Sequence, residues 1–233
     1  MRAVLLATTP GAGAMAADKT VAARLVGQLR EHGVSDITVI TRTEYRSAVP
    51  AGVTLAESSG VRQDLRLLAE IAAEDQAVLL ACADTLLDDT AASAVLSDPT
   101  DRAGVLVGDY DVSRQLDAPV YRDRGMVLSV GTSFHEVSQP NASTSGVLKV
   151  TAPYLDDLRE ALRRVIDQGA SDLATSADAW TLTVLAVVRQ GTKLVGYAVP
   201  GLHYGRVPGE ASARRMLAQI EATDADAILL DQC

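Results

Sequence analysis

Aromatic side chains are scarce in this chain of 233 residues: they make up 3% of it, with one tryptophan and one phenylalanine. Proteins that bind single-stranded nucleic acids stack the bases on such side chains. The chain also has no excess of basic residues, because its formal net charge is −9. Since non-specific nucleic-acid binding needs a basic surface, both features disfavour a nucleic-acid partner.

Cysteine is rare as well, with only Cys82 and Cys233 present. Two cysteines exclude a disulfide-rich scaffold, and they lack the spacing of a zinc site. The apolar run at the N-terminus is too short for a signal peptide, and no run is long enough to cross a bilayer. We therefore expect one cytoplasmic domain over residues 1–233, without membrane contact of its own. The sequence ends without a clear stop signal, which suits the N-terminal part of a longer chain.

What the chain does have is an alternation of strand and helix patterns. Short apolar runs that end in turn residues predict buried strands at 3–7, 37–40, 77–82 and 103–107. Apolar residues at helical spacing predict a helix from Val21 to a left-handed Gly33, and a second helix from Val61 to Ala72. This order predicts an α/β fold, Rossmann-like, with a mostly parallel central sheet.

The middle of the chain follows a different pattern. A β-hairpin is predicted over 120–130, with its turn at Gly125. The polar segment 138–145 contains Pro140 and predicts a loop, followed by a strand over 146–150. Further along, helical spacing predicts helices at 155–165, 177–188 and 209–222, with a strand at 193–199.

The loop after the first strand is the first candidate site. Gly11 and Gly13 follow the strand, and glycines there let backbone N–H groups approach a phosphate closely. Lys19 adds a positive charge beyond the loop. The alternative is an ordinary surface loop between strand and helix.

Asp84 is the second candidate, because it directly follows the strand at 77–82. In an open parallel sheet, ligands bind beyond the carboxyl ends of the strands, so we expect the turns at Gly11 and Asp84 on the same edge. A carboxylate there can hold a divalent cation that phosphate oxygens also ligate. The alternative is a helix N-cap or a turn aspartate.

Together these stretches resemble the sugar-nucleotidyltransferase family. The resemblance is carried by residues 3–7, the glycine loop with Lys19, residues 33–41 and residues 78–84. That family has a GT-A-like, Rossmann-related sheet, and it joins an NTP to a phosphorylated sugar or polyol with release of pyrophosphate. Within it, the chain is most similar to cytidylyltransferase-like domains that precede a membrane CDP-alcohol phosphotransferase, some of which make CDP-inositol from inositol phosphate.

The resemblance implies roles for individual residues. Lys19 and Asp84 match the catalytic positions, and Asp84 matches the aspartate that binds Mg²⁺. The residues expected to hold the nucleotide are Ala7, Thr8, Gly11, Gly13, Gly60 and Arg62. Apart from the resemblance, the positive charges of Arg62, Lys149 and Arg206 make these residues candidates for holding the phosphate of the acceptor. The alternative for Arg62 is a solvated helix face, and Lys149 also has a structural alternative.

The chain also departs from the family pattern. No arginine lies between Thr8 and Asp18, and Lys19 is followed by threonine instead of proline. The segment 199–206 contains no acid where the family has a second metal-binding aspartate. Arg206 in that segment either replaces the charge of a cation or marks a domain that has lost catalysis.

Two other functions remain open from the sequence. Residues 11–16 satisfy G-x-G-x-x-A, and Arg42 after the second strand suits the 2′-phosphate of NADP, as in a Rossmann oxidoreductase. The missing loop arginine and second aspartate instead favour a non-catalytic, nucleotidyltransferase-like module that binds a partner or acts as a scaffold for an attached domain.

Overall fold

The strands of this protein form one large mixed sheet with helices on both faces. The computed structural model describes residues 1–74, 76–98, 100–110, 116–131, 137–167, 177–199 and 204–230, with the side chains of 223–230 excepted. The strands are β1 (Arg2–Ala7), β2 (Met15–Ala16), β3 (Lys19–Thr20), β4 (Asp36–Thr41), β5 (Thr54–Glu57), β6 (Val78–Cys82), β7 (Thr85–Leu86), β8 (Gly104–Gly108), β9 (Pro119–Asp123), β10 (Met126–Val130), β11 (Ala142–Val150), β12 (Leu194–Ala198) and β13 (Gly205–Arg206). The α-helices are α1 (Val21–Glu31), α2 (Val61–Ile71), α3 (Asp89–Leu96), α4 (Leu155–Asp167), α5 (Ala179–Arg189) and α6 (Glu210–Leu230). Short 3-10 helices span Pro10–Gly13, Thr43–Ala48 and Ala152–Tyr154.

The main sheet has the strand order β5-β4-β1-β6-β11-β8-β12-β10-β9. Its first four strands are parallel to one another. Strand β11 is antiparallel to both of its neighbours β6 and β8, and β10 is antiparallel to β12 and β9. Of the nine strands described in this sheet, seven therefore run in the same direction, and the predicted α/β fold with a mostly parallel sheet is confirmed.

The two faces of the sheet are covered separately because side chains alternate along each strand. Val4 and Leu6 of β1 pack on one face, against apolar residues of α2, α4 and α5. Leu5 and its odd-numbered neighbours pack on the opposite face, against α1 and α3. This two-sided burial explains why β1 reads as a continuous apolar run.

Local signals position most elements as the sequence predicts. Helix α1 begins after Thr20, whose hydroxyl accepts a hydrogen bond from the backbone N–H of Ala23, and ends before Gly33, which has φ +80°. The hairpin β9–β10 turns through Arg124 and Gly125, both with positive φ. Among the described residues, no helix combines the length and apolar character needed to cross a membrane.

One expectation about local structure was wrong, and one strand of the main sheet was not predicted. Residues 142–145 were expected in a loop, but they form the first half of β11 and are buried. Two of their polar side chains bond to the backbone, Ser143 to the carbonyl of Asp109 and Thr144 to Ala118. Strand β5 was not predicted, because its mostly exposed side chains on the edge of the sheet leave no buried apolar pattern.

Candidate functional site

Thr9 and Asp84 meet at the carboxyl edge of the sheet, where β1 and β6 end side by side. The Thr9 hydroxyl donates a 2.7 Å hydrogen bond to Oδ2 of Asp84. Gly11 lies against the same aspartate. The prediction that the turns at Gly11 and Asp84 share one edge is therefore confirmed.

Arg206 reaches the same point from a distant part of the chain. The short strand β7 follows Asp84 directly and pairs antiparallel with β13, which places Arg206 opposite Thr85. The backbone N–H of Val207 donates to the carbonyl of Asp84 at 2.8 Å. These backbone contacts fix Arg206 against the Asp84 side chain.

The guanidinium of Arg206 binds two carboxylates. Its Nε donates to Oδ1 of Asp84 at 2.9 Å and its Nη2 donates to Oδ2 at 3.0 Å, which makes a bidentate pair. Its Nη1 donates to Oδ2 of Asp178 at 2.5 Å and to the carbonyl of Leu116 at 3.3 Å. We call Thr9, Asp84, Asp178 and Arg206 the Asp84 cluster.

The Asp84–Arg206 pair at the centre of the cluster is closed to solvent, whereas Asp178 is 23% exposed. The side chains of Asp84 and Arg206 are 0% and 3% exposed. Burial opposes the charge of Arg206, but its surroundings, including Cys82, Asp84 and Asp178, hold the pKa of this residue well above its usual value. Burial also raises the pKa of the Cys82 thiol, which makes this residue a poor nucleophile.

This geometry does not suit Asp84 as a ligand of Mg²⁺. The ion requires near-octahedral oxygen ligands at about 2.0–2.1 Å and usually keeps several waters. Both oxygens of Asp84 already accept hydrogen bonds from Arg206 or Thr9, and the carboxylate has no exposed surface. Over the described parts of the chain, three or more side chains of metal-binding type do not come together anywhere.

The glycine loop is packed against Val207 and the aspartate. A Cβ on Gly11 would lie 1.8 Å from the Val207 carbonyl oxygen, so glycine is required there for a close backbone approach. A Cβ on Gly13 would only touch Ala48 at 3.5 Å. Ala7 is buried, whereas Thr8 is partly exposed at the edge.

Lys19 lies on the short hairpin β2–β3 and is exposed. It lines a groove of about 390 Å³ between α1, β7 and α6, together with Gln28 and Asp88 among others. Its ammonium group is not among the partners of Asp84. The structure therefore places Lys19 near the glycine loop but outside the Asp84 cluster.

The turn before α2 supplies the other predicted nucleotide contacts. Gly60 precedes the helix and Arg62, its second residue, is exposed. Arg42, which suited the 2′-phosphate of NADP, instead donates two 2.6 Å hydrogen bonds to the buried Asp64 of α2. Because this guanidinium is used to anchor α2, one of the two observations that favoured an oxidoreductase is lost.

The structure gives Lys149 a structural role instead of the predicted contact with acceptor phosphate. The side chain is buried, and its Nζ donates to the carbonyls of Val95 and Asp98 at 3.1 Å each. These carbonyls lie at and just beyond the C-terminus of α3, where a cation is favourable. Lys149 pairs with Leu79 near the start of β6, so it does not come to the edge with Asp84.

Sequence reasoning missed two members of the Asp84 cluster. Asp178 caps α5 by accepting a hydrogen bond from the backbone N–H of Thr181, and its other oxygen binds Arg206. An aspartate before an apolar helix is a recognisable capping signal. No local sequence signal predicts that Asp178 binds Arg206, which is 28 residues away, or that Thr9 binds Asp84.

The fold is shared with solved nucleotidyltransferase structures. The inositol-1-phosphate CTP transferase from T. maritima superposes with a TM-score of 0.64 at 14% identity, covering 94% of this chain and 96% of that chain. A protein from Bacillus anthracis described as a glucose-1-phosphate thymidylyltransferase gives 0.66 at 14% identity, with 94% and 95% coverage. The CTP:phosphocholine cytidylyltransferase from Streptococcus pneumoniae gives 0.64 at 16% identity, with 93% and 97% coverage. No family model matches the sequence, and no curated protein matches it significantly.

Proposed function

We propose that this chain is a nucleotidyltransferase that joins an NTP to a phosphorylated sugar or polyol. CTP is favoured as the nucleotide and inositol phosphate as the acceptor. An oxygen of the acceptor phosphate attacks the α-phosphorus, the bond from the α-phosphorus to the bridging oxygen breaks, and pyrophosphate leaves. A phosphate nucleophile is already ionised, so the reaction needs no general base.

The observation that carries this proposal is the match of nearly the whole chain to the fold of three proteins named for nucleotidyl transfer, two of them to a phosphorylated sugar or polyol. Two of the three are named for CTP or cytidylyl transfer. The carboxyl edge of the sheet, where Thr9 and Asp84 meet, is also where ligands bind in open α/β sheets. The low sequence identity leaves base and acceptor as parts of the proposal.

In this proposal the described side chains act by positioning and by charge, which supply most of the catalysis in phosphoryl-type transfer. The loop from Ala7 to Gly13 and the turn at Gly60 border the nucleotide. Lys19 and Arg62 are exposed cations on the hairpin β2–β3 and on α2, which follow these two segments, and in this proposal they balance phosphate charge. Asp84 holds Arg206 and shapes the floor of the site.

We propose further that the product, a CDP-activated polyol, is consumed by a CDP-alcohol phosphotransferase in phospholipid synthesis. Such an enzyme requires a CDP-activated alcohol, and the sequence resemblance points to domains that precede one. Residues 1–233 would then act as one catalytic domain on the cytoplasmic side of the membrane, where CTP is found.

A second candidate is a nucleotide-binding module without turnover. The observation that favours it is the Asp84 cluster, in which the Arg206 guanidinium already forms ion pairs with the carboxylates of Asp84 and Asp178. Such a module would hold a nucleotide without chemistry.

A pyrophosphate-release screen separates the two candidates. The four common NTPs are each combined with inositol phosphate, glucose 1-phosphate and phosphocholine, with Mg²⁺ or with EDTA, and binding is measured in parallel. Release with CTP and one acceptor supports the enzyme. Nucleotide binding without release in any combination supports the module, and the absence of both contradicts the two proposals together.

A further inference from the structure

Backbone pairing fixes where Arg206 lies in the fold. Strand β13 holds it opposite Thr85, and a bulge in β11 makes room for it at Gly146. Gly146 has φ +82°, and a Cβ there would lie 3.0 Å from Cγ of Arg206 and 2.6 Å from the Thr85 hydroxyl. A residue with a side chain at this position would therefore press on the stem of Arg206.

The bonds of Arg206 would all have to break before a metal ion could bind Asp84. The guanidinium covers both carboxylate oxygens of Asp84 and also binds Asp178 and the carbonyl of Leu116. Removing it would leave Asp84 and Asp178 as two neighbouring negative charges, with Asp84 fully buried. Unpaired buried charges are strongly unfavourable, so the arrangement resists exchange of the guanidinium for a hydrated ion.

We propose that Arg206 is a built-in cation at Asp84, so that this edge binds an NTP without a divalent ion held by Asp84. The part of this inference that concerns the nucleotide rests on the proposed function, whereas the part that concerns the carboxylate does not. Any Mg²⁺ that accompanies the triphosphate is then held by phosphate oxygens and not by this aspartate.

The first test uses metal alone and needs no nucleotide. Thermal unfolding is followed with EDTA, Mg²⁺ or Mn²⁺ for the parent protein, Arg206→Asp and Arg206→Gln. We expect no metal-dependent shift for the parent. Arg206→Gln leaves Asp84 and Asp178 without their cation, so we expect Mn²⁺ to raise its melting temperature, but by less than for Arg206→Asp. Arg206→Asp brings a third carboxylate to Asp84 and Asp178, so we expect a lower melting temperature in EDTA. Mn²⁺ should then raise it by about 5–10 °C at about 100 times the dissociation constant.

Two outcomes of this test contradict the inference. One is a Mn²⁺-dependent rise for the parent that Asp84→Asn abolishes, because the ion would then displace Arg206. The other is a folded Arg206→Asp protein without a response to Mn²⁺. If Arg206→Asp does not fold in either condition, a binding measurement replaces it. Electron paramagnetic resonance then compares Mn²⁺ binding to the parent with Mn²⁺ binding to Asp84→Asn. Equal binding supports the inference, and weaker binding to Asp84→Asn overturns it.

The second test measures CTP affinity of the parent and Asp84→Asn in EDTA and in Mg²⁺. For each protein we take the ratio of its CTP affinity in Mg²⁺ to its CTP affinity in EDTA. We expect this ratio to be the same for the parent and Asp84→Asn within about threefold, which is less than about 0.7 kcal/mol. A loss in EDTA of more than tenfold that appears only in the parent would overturn the inference. If CTP binds neither protein in either condition, the proposed function fails, while the metal test on Asp84 still stands.

Discussion

At the scale of single residues, residues with the same sequence prediction have different roles because their surroundings in the fold differ. Gly11 and Gly13 both belong to the predicted phosphate loop, yet only Gly11 is required by a close backbone approach. Arg42 and Arg206 are both cations at the carboxyl edge, and each is used by a buried aspartate instead of being offered to solvent. Their roles follow from the partners that the fold brings to them.

The two glycines of the loop give a direct test of this packing. We expect Gly11→Ala to lower the free energy of unfolding by about 1–3 kcal/mol, because the new methyl group would clash with the Val207 carbonyl. Gly13→Ala is the matched control and should lie within about 0.5 kcal/mol of the parent, since its methyl group makes an ordinary contact with Ala48. Urea unfolding measures both, and equal effects would contradict the assigned packing.

At the scale of elements, the C-terminus of α3 is held by side chains from two strands of the sheet. Lys149 of β11 donates to the carbonyls of Val95 and Asp98, and the hydroxyl of Tyr197 on β12 donates to Asp98 at 2.7 Å. This anchoring couples the end of the helix to β11 and β12. It explains why a lysine is buried in a central strand.

Replacement of Lys149 tests this structural role. Lys149→Met keeps the length of the side chain but removes two hydrogen bonds from a charged donor, so we expect a loss of about 1–3 kcal/mol in unfolding free energy. The exposed Lys193→Met is the control and should be nearly neutral. Nucleotide affinity should be the same for both variants. A loss of turnover with the acceptor in Lys149→Met alone would instead support the predicted contact of Lys149 with the acceptor phosphate.

The same anchor predicts a dependence of stability on pH. Burial by itself would raise the pKa of Asp98, but hydrogen bonds from Thr100 and Tyr197 outweigh it and lower the pKa to about 2. A carboxyl whose pKa is lowered by folding stabilises the protein above its unfolded value of 3.8, and this contribution is lost as the pH falls towards 2.

We therefore expect Asp98→Asn to reduce the loss of stability between pH 4 and pH 2 relative to the parent. Unfolding free energies at several pH values in this range measure the effect. The exposed Asp101→Asn serves as the control. Identical pH profiles for the parent and Asp98→Asn would show that the hydrogen bonds to Asp98 contribute nothing in solution.

At the scale of the whole molecule, a net charge of −9 opposes the binding of an anionic nucleotide. Within the Asp84 cluster, the charge of Arg206 (+1) is exceeded by those of Asp84 and Asp178 (−1 each), which leaves −1. An NTP at this edge therefore needs cations outside the cluster. Lys19 and Arg62 are exposed and lie on the hairpin and the helix that border the glycine loop and the Gly60 turn.

Lys19 gives the test at this scale. We expect Lys19→Ala to weaken CTP binding about tenfold, which corresponds to about 1.4 kcal/mol. Lys193→Ala removes the same charge just before β12, so it controls for the change in net charge and should leave the affinity near that of the parent. Equal dissociation constants for the two variants in calorimetry would show that Lys19 is only a solvated side chain.

The α/β fold, most of the elements and the shared edge of the Gly11 and Asp84 turns follow from local patterns in the sequence. They do so because apolar periodicity and turn residues are local signals, and parallel strands bring their carboxyl ends together. The contacts of these residues depend on the tertiary structure. Asp84 and Arg206 are 122 positions apart, and their pairing depends on how β7 meets β13. The same holds for Arg42 with Asp64 and for Lys149 with the end of α3. Ion pairs depend on distance in space, which a linear pattern does not encode.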